Sequence, residues 1–463
     1  MLLPLGRLLL CLPLAHAAAV AVPRQDINEP VESDLQLGAV VGGLTSGLLG
    51  QLNTAISTGN LEGVLTQLRN LTPGNKPSSV AEVTSILQPI AQTKSATIID
   101  YGAQLIANGI LSGTVEGLFD FAQGAASGAG GSDNVNPDPS RSVYPKAKAC
   151  DAPYSVPEDK LRSAIYIPPT FTYGQKRPVI LFPGTGNTGY ITFSGNFIPL
   201  LTGVDWADPV WVNVPGLLLD DAQVNSEYAA YAMNYIAALT SRDDVGIVAW
   251  SQGNLDCQWA YKYWPSTRAV VTDHVAVSAD YAGTVFANAA TLLVPLLTND
   301  PSVLQQEAGS AFVTRLRQGG GDSALVPTTS LYSGYFDEVV QPQSGTGASA
   351  FLRGATNVEV QQACGGKGLA GTFYTHEGLL VNPLAFAMAK DALTHEGPGQ
   401  LARVEGGLDE VCKPYLAPGL GLDELLLTEN AVLIAVLSLI LYPEKVAAEP
   451  ALKSYATSQT RSC

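Results

Sequence analysis

Ser251 stands in the run Trp250-Ser251-Gln252-Gly253, between an apolar stretch, 245–249, and a helical pattern through Gln258, Trp259 and Ala260. A serine on a sharp strand-to-helix turn is presented as a nucleophile. Such a turn crowds neighbouring backbones, so small residues are needed two before and two after the serine. Ala249 and Gly253 fill those places. The turn also puts the Gln252 backbone N–H at a helix N-terminus, where it can meet negative charge developing on an oxygen. The bland alternative is a helix-capping serine in an ordinary turn. A second donor is offered by the loop Pro183-Gly184-Thr185-Gly186, which follows the apolar run 178–182; Thr185 has both a backbone N–H and a hydroxyl. A phosphate-cradling loop is excluded there, because no Gly-Lys-Ser/Thr follows.

The base is constrained by scarcity, since the chain has four histidines and His16 lies in the N-terminal apolar stretch. His274 opens an apolar run and reads as structural. His395 follows a helical pattern and reads as surface. His376 falls in a loop, Phe-Tyr-Thr-His-Glu-Gly, ahead of that helix. Asp337, just past the strand-like 329–332, can orient and charge-stabilise the imidazole, with the neighbouring Glu338 as competitor. Serine, acid, histidine in that chain order is the order of the α/β-hydrolases. The chemistry would be attack of a hydroxyl on an acyl carbon, with no metal or cofactor required.

These residues need a scaffold. Strand-like runs at 178–182, 210–214, 246–249, 274–279 and 329–332 are separated by helical patterns, 224–239 the clearest. Strands alternating with helices predict a mostly parallel sheet covered on both faces; with the serine turn and the serine–acid–histidine order, the expectation is an α/β-hydrolase fold with a small helical region before it. That region has the capping pattern Ser79-Val-Ala-Glu82 followed by Val83, Ile86, Leu87 and Ile90 at helical spacing. Residues 101–121 repeat the pattern, weakened by internal glycines. The expected organisation is a signal peptide over 1–21, a helical pro-region or accessory region over 22–123, a Gly/Ser/Asp/Pro-rich linker over 124–141, and a catalytic domain over 142–463. Asn70-Leu-Thr72 is a glycosylation sequon.

Composition narrows the partners. The 463 residues are 46% hydrophobic and only 14% charged, with 25 Lys+Arg against 41 Asp+Glu, a net charge of -16. Nucleic acid and anionic membranes would repel such a chain. No segment after the leader is read as a membrane span. The run 422–442 is instead expected to be a mobile, partly exposed helix beside the substrate entrance, with Leu437 facing outward; the alternative is a core helix. Of six cysteines, Cys11 leaves with the leader. Cys150, Cys257, Cys364, Cys412 and Cys463 remain. Their odd number leaves at least one thiol free, and their spacing does not settle the pairing or suit zinc.

Several motifs agree in order and spacing with one family: 250–253, 183–186, Asp280-Tyr-Ala-Gly-Thr284, Val326-Pro-Thr-Thr329 and the long run 331–343. From about 178 to 463 the chain resembles the Candida antarctica lipase B-like fungal lipases. The resemblance implies nucleophile Ser251, acid Asp337 and base His376, with an oxyanion hole from Thr185 and Gln252. It implies substrate-binding positions at Trp250, Asp280, Thr192, Gln306 and Val339, and a disulfide between Cys364 and Cys412. Cys257, on the helix after the serine, is then a buried free thiol, and Cys150 and Cys463 are left to pair with each other. The chain departs from the family in lacking the usual partners of these two, with Val210 near one expected position. Asp220 also replaces a glycosylated Asn, and the N-terminal region is longer.

The expected function is a secreted, extracellular, monomeric serine lipase or esterase. It would act on esters or lipids, acylglycerols among them, at an oil–water interface, without nucleic acid or stable membrane insertion. The alternatives are a transacylase or amidase with the same triad, and a catalytically silent binding protein on the same fold.

Overall fold

The computed structural model describes residues 46–92, 97–287 and 299–458. The signal-peptide expectation, Cys11 and Cys463 lie outside the described residues.

A seven-stranded sheet forms the centre: β1 (Ile165–Tyr166), β2 (Pro178–Phe182), β3 (Asp208–Val212), β4 (Val245–Trp250), β5 (Val271–Val277), β6 (Thr328–Tyr332) and β7 (Thr356–Glu359), in the order β1-β3-β2-β4-β5-β6-β7. Every pairing is parallel except β1 with β3. The uninterrupted apolar runs follow from burial on both faces. In β2, Ile180 and Phe182 pack with the helices Ala222–Thr240 and Gln252–Tyr263, while Val179 and Leu181 pack with the helix Pro383–Thr394 on the other side. The observed β3 and β5 begin two and three residues earlier than their apolar patterns. The edge strands β1 and β7, two and four residues long, are too short to leave a pattern.

Among the described residues the N-terminal region holds the helices α1 (Ser46–Ser57), α2 (Leu61–Arg69), α3 (Val80–Gln92), α4 (Ile98–Ala107) and α5 (Val115–Ala122), and the short helix Glu158–Ser163 comes directly before β1. The pattern over 101–121 is thus two helices rather than one. Gly109 at φ +74° and Gly113 at φ +91° turn the chain between them, a conformation that needs no Cβ. At the start of α3 the Ser79 hydroxyl accepts the Glu82 N–H at 3.2 Å, but the Glu82 carboxylate accepts from Ser78, not Ser79.

The helix Leu422–Leu441 differs from expectation. By length and composition it could cross a membrane, yet 72% of its apolar window is buried in the protein. Its apolar side packs with Leu105, Ile106, Leu118 and Phe119 of α4 and α5 in one cluster. Ser112 and Asn430 exchange two hydrogen bonds of 2.9 and 2.8 Å across the junction. Leu437 is 2% exposed, so it does not face outward. The apolarity that suggested an exposed wall is met by the N-terminal helices, which give it a partner inside the fold.

The segment 124–141 is fastened to the sheet despite its polar composition. Trp211 Nε1 donates to the Ala129 carbonyl at 2.7 Å, and Asn213 Nδ2 donates to Ala129 and Gly131. Cys364 and Cys412 are disulfide-bonded, and Cys257 is a buried free thiol. Cys150 is also disulfide-bonded.

Candidate active site

β4 ends at Trp250, and the next residue, Ser251, turns into the helix Gln252–Tyr263 at φ 53°, ψ -131°. A non-glycine residue held there stores about 1–3 kcal/mol of strain. Main-chain bonds hold it: the Ser251 N–H donates to Val277 O at 3.0 Å, and the Ser251 carbonyl accepts from the Asn254 N–H and Nδ2, both at 3.0 Å. The small residues are steric requirements. A Cβ on Gly253 would lie 2.2 Å from the Pro183 carbonyl oxygen, and one on Gly184 would lie 2.8 Å from the Ser251 Cβ.

His376 and Asp337 arrive at the same C-terminal edge of the sheet from the loops after β7 and β6. His376 Nδ1 is 2.9 Å from Asp337 Oδ2, both side chains buried. The other carboxylate oxygen, Oδ1, accepts the N–H groups of Val339 at 3.0 Å and Val340 at 2.7 Å. An ionised acid accepts at Nδ1, which leaves Nε2 with its lone pair. Nε2 is buried and has no hydrogen-bond partner. The loop that carries His376 is tied at both main-chain atoms: its carbonyl accepts from Trp250 Nε1 at 3.2 Å and Ser278 Oγ at 2.9 Å, and its N–H donates to Glu338 Oε2 at 2.9 Å. Glu338 therefore grips the histidine's backbone, while Asp337 takes the ring.

Beside Ser251, the side chains of Thr185, Gln252 and Gln306 form a polar knot. The Thr185 hydroxyl lies 2.7 Å from Gln252 Oε1 and 3.0 Å from Gln306 Oε1, and Gln306 Nε2 donates to Gln252 Oε1 at 2.9 Å. Gln252 opens its helix, so its N–H is outside the intrahelical ladder. Gly186, at φ +73°, lets the loop lie against the helix Leu422–Leu441; a Cβ there would meet Ala435 Cα at 2.6 Å.

No protein-family model matches the chain. Lipase B of Pseudozyma antarctica is 34% identical over 308 residues, which cover 66% of this chain and 86% of that protein. The chain belongs to the fungal lipase B family. Family membership makes it a carboxylic-ester hydrolase. A crystal structure of Aspergillus fumigatus lipase B is 42% identical, with a TM-score of 0.78, over 88% of this chain and 99% of that one.

Within this lipase, the five further residues implied by the resemblance fall in different surroundings. Gln306 belongs to the knot just described. Trp250 sets its indole beside the His376 ring, with 5.0 Å between centroids and the two planes tilted by 43°. Val339 lends its N–H to Asp337, and its carbonyl accepts from Thr284 Oγ1 at 2.9 Å. Thr192 is on the short helix after the Thr185 loop, its hydroxyl buried and unpartnered. Asp280 is fully buried with both carboxyl oxygens unpartnered. Burial, then the nearby Asp337 charge, pushes its carboxyl up to about 8.

His274 is buried between Tyr261 Oη at 3.0 Å and Asn254 Oδ1 at 2.9 Å, and burial holds it down at about 3. It is a neutral structural group. His395 is half-exposed beside Asp391. Sequence reasoning did not find Asn254, Ser278 or Glu429. Ser278 and Glu429 act on groups far away in sequence, and Asn254 joins the nearby Ser251 carbonyl to the distant Val277 carbonyl and His274 ring.

Proposed function

We propose that the protein is a secreted serine lipase that cleaves carboxylic esters, acylglycerols among them, through an acyl-enzyme on Ser251. The observation that carries this reading is the strained Ser251 turn on the same sheet edge as a buried His376–Asp337 pair of 2.9 Å. Ser251 Oγ attacks the ester carbonyl carbon, and His376 Nε2 takes its proton. Asp337 holds the ring in the tautomer that leaves Nε2 basic and then stabilises the imidazolium. The carbonyl oxygen, now an anion, is met by the Gln252 and Thr185 N–H groups and by the Thr185 hydroxyl, which rotates away from Gln252 Oε1. The imidazolium gives its proton to the leaving alcohol. Water then attacks the acyl carbon, with His376 as base, and frees the acid.

Trp250, Thr192, Gln306, Val339 and Asp280 line the acyl and alcohol sites in this reading. Asp280, pushed up to about 8, is protonated at neutral pH and offers a hydroxyl donor to a substrate oxygen. Residues 46–122 are an accessory region of the working protein, since their apolar residues share one cluster with the helix Leu422–Leu441. Secretion is supported by the leader-like N-terminus and the disulfides. Ser251→Ala should lower hydrolysis of a soluble ester by about a millionfold, by analogy with loss of a triad serine, with an unchanged circular-dichroism melt. Near-normal activity in the folded variant would overturn the reading.

A further inference from the structure

Next to the proposed triad lies a group of carboxyls that the reaction does not use. Glu338 follows Asp337, Glu377 follows His376, and Glu429 comes from the helix Leu422–Leu441. Glu377 and Glu429 are fully buried; Glu338 is half-buried as a residue, but its Oε1 is sealed from solvent. The Glu377 carboxyl is within electrostatic reach of both of the others. Glu429 Oε1 also accepts from Thr375 Oγ1 at 3.4 Å, and Thr375 Oγ1 accepts the Gly378 N–H at 2.9 Å. Glu338 Oε1, both Glu377 oxygens and Glu429 Oε2 are buried with no hydrogen-bond partner. The buried Tyr101 hydroxyl from α4, itself unpartnered, feels all three acids. The other titratable groups acting on them are Asp337, His376 and Tyr415.

Two ionised carboxylates cannot pair, because both only accept. A carboxyl that faces two others must therefore hold a proton and donate it. Burial pushes Glu338 and Glu377 well up, with repulsion between the acids adding to it, and pushes Glu429 up to about 7. Glu338 is the member that touches the site, through the His376 N–H.

Resting on the triad reading above, we propose that Glu338 is a positioning residue for His376, and that a proton-sharing chain Glu338–Glu377–Glu429 keeps it in place. Loss of the shared protons at alkaline pH then sets like charges against each other, loosens the His376 loop and slows hydrolysis. The same chain ties stability to pH. Below the ordinary glutamate value of 4.5 the folded and unfolded chains are both protonated. Above it the unfolded chain gives up protons that the folded chain keeps, so this group's contribution to stability declines through about 7 and beyond.

The test uses the full-length protein and a soluble p-nitrophenyl butyrate, with kcat, KM and thermal midpoint followed from about pH 5 to about pH 10. In Glu377→Gln the amide always donates and never ionises. Its alkaline limb of kcat should move up by about one pH unit or more, and its melting temperature should fall less steeply with pH. In Glu377→Leu no donor remains, and kcat at neutral pH should be at least ~10-fold below that of Glu377→Gln, with KM unchanged. A Glu377→Gln limb that coincides with the parent limb overturns the proposal, as does a Glu377→Gln protein that fails to fold. So does equal behaviour of the two folded variants. If Glu377→Leu does not fold, the glutamine variant still decides. Ser251→Ala separates the two levels: activity there sinks the triad reading, whereas an inactive Ser251→Ala with an unmoved Glu377→Gln limb sinks only this one.

Discussion

The serine side and the histidine side of the site are built by different physics. Ser251 is fixed by main chain and by missing side chains. Its N–H extends the sheet to Val277, and Gly184 and Gly253 let two backbones meet the turn. His376 is fixed by side chains from elsewhere: Asp337 on its ring, Glu338 on its N–H, Trp250 and Ser278 on its carbonyl. A site made of backbone is rigid and indifferent to pH. A site made of buried acids and hydroxyls takes on their titration. Ser251 should therefore fail by steric insult, and His376 by electrostatic insult.

The largest electrostatic insult is Asp337→Asn. The amide would present a donor to Nδ1 and favour the wrong tautomer, so kcat should fall about 10³–10⁴-fold with little change in KM. Steady-state kinetics on the soluble ester checks it, and a drop below tenfold would hand the acid's role to Glu338. On the serine side, Thr185→Val removes a hydroxyl while keeping the N–H and the shape. A loss of about 10²–10³-fold in kcat is expected if that hydroxyl meets the oxyanion. An unchanged kcat would leave the two N–H groups as the whole oxyanion site. Gly253→Ala is the smallest change and the most purely steric. Its methyl would meet the Pro183 carbonyl at 2.2 Å. Overpacking of this kind costs about 1–3 kcal/mol, read as a lower denaturation midpoint, with no shift in the pH–rate profile.

The same contrast explains what the sequence disclosed. The elbow was legible because its requirements are local: an apolar run, then Ser251 flanked by Ala249 and Gly253. The central strands were legible because burial on both faces writes continuous apolar runs. His376 emerged by elimination among few histidines. The helix 422–441 was correctly bounded to within a residue, but its surroundings were misread. Its apolarity says only that it needs a cover, and the cover comes from α4 and α5, more than 300 positions earlier. Glu377 and Glu429 look like ordinary surface acids in the sequence, and Glu338 stands out there only as a rival to Asp337. Only the fold buries them together, so no periodicity could have revealed their shared protons.

The most direct measurement of the central claim is covalent. The active protein would be treated with a fluorophosphonate, digested and mapped by mass spectrometry, with residual esterase activity followed in parallel. The account predicts one adduct, on the peptide containing Ser251, formed in proportion to the activity lost and absent when Asp337→Asn has disabled the base. An adduct on another residue that tracks the loss of activity, or full activity alongside a fully modified Ser251, would contradict it.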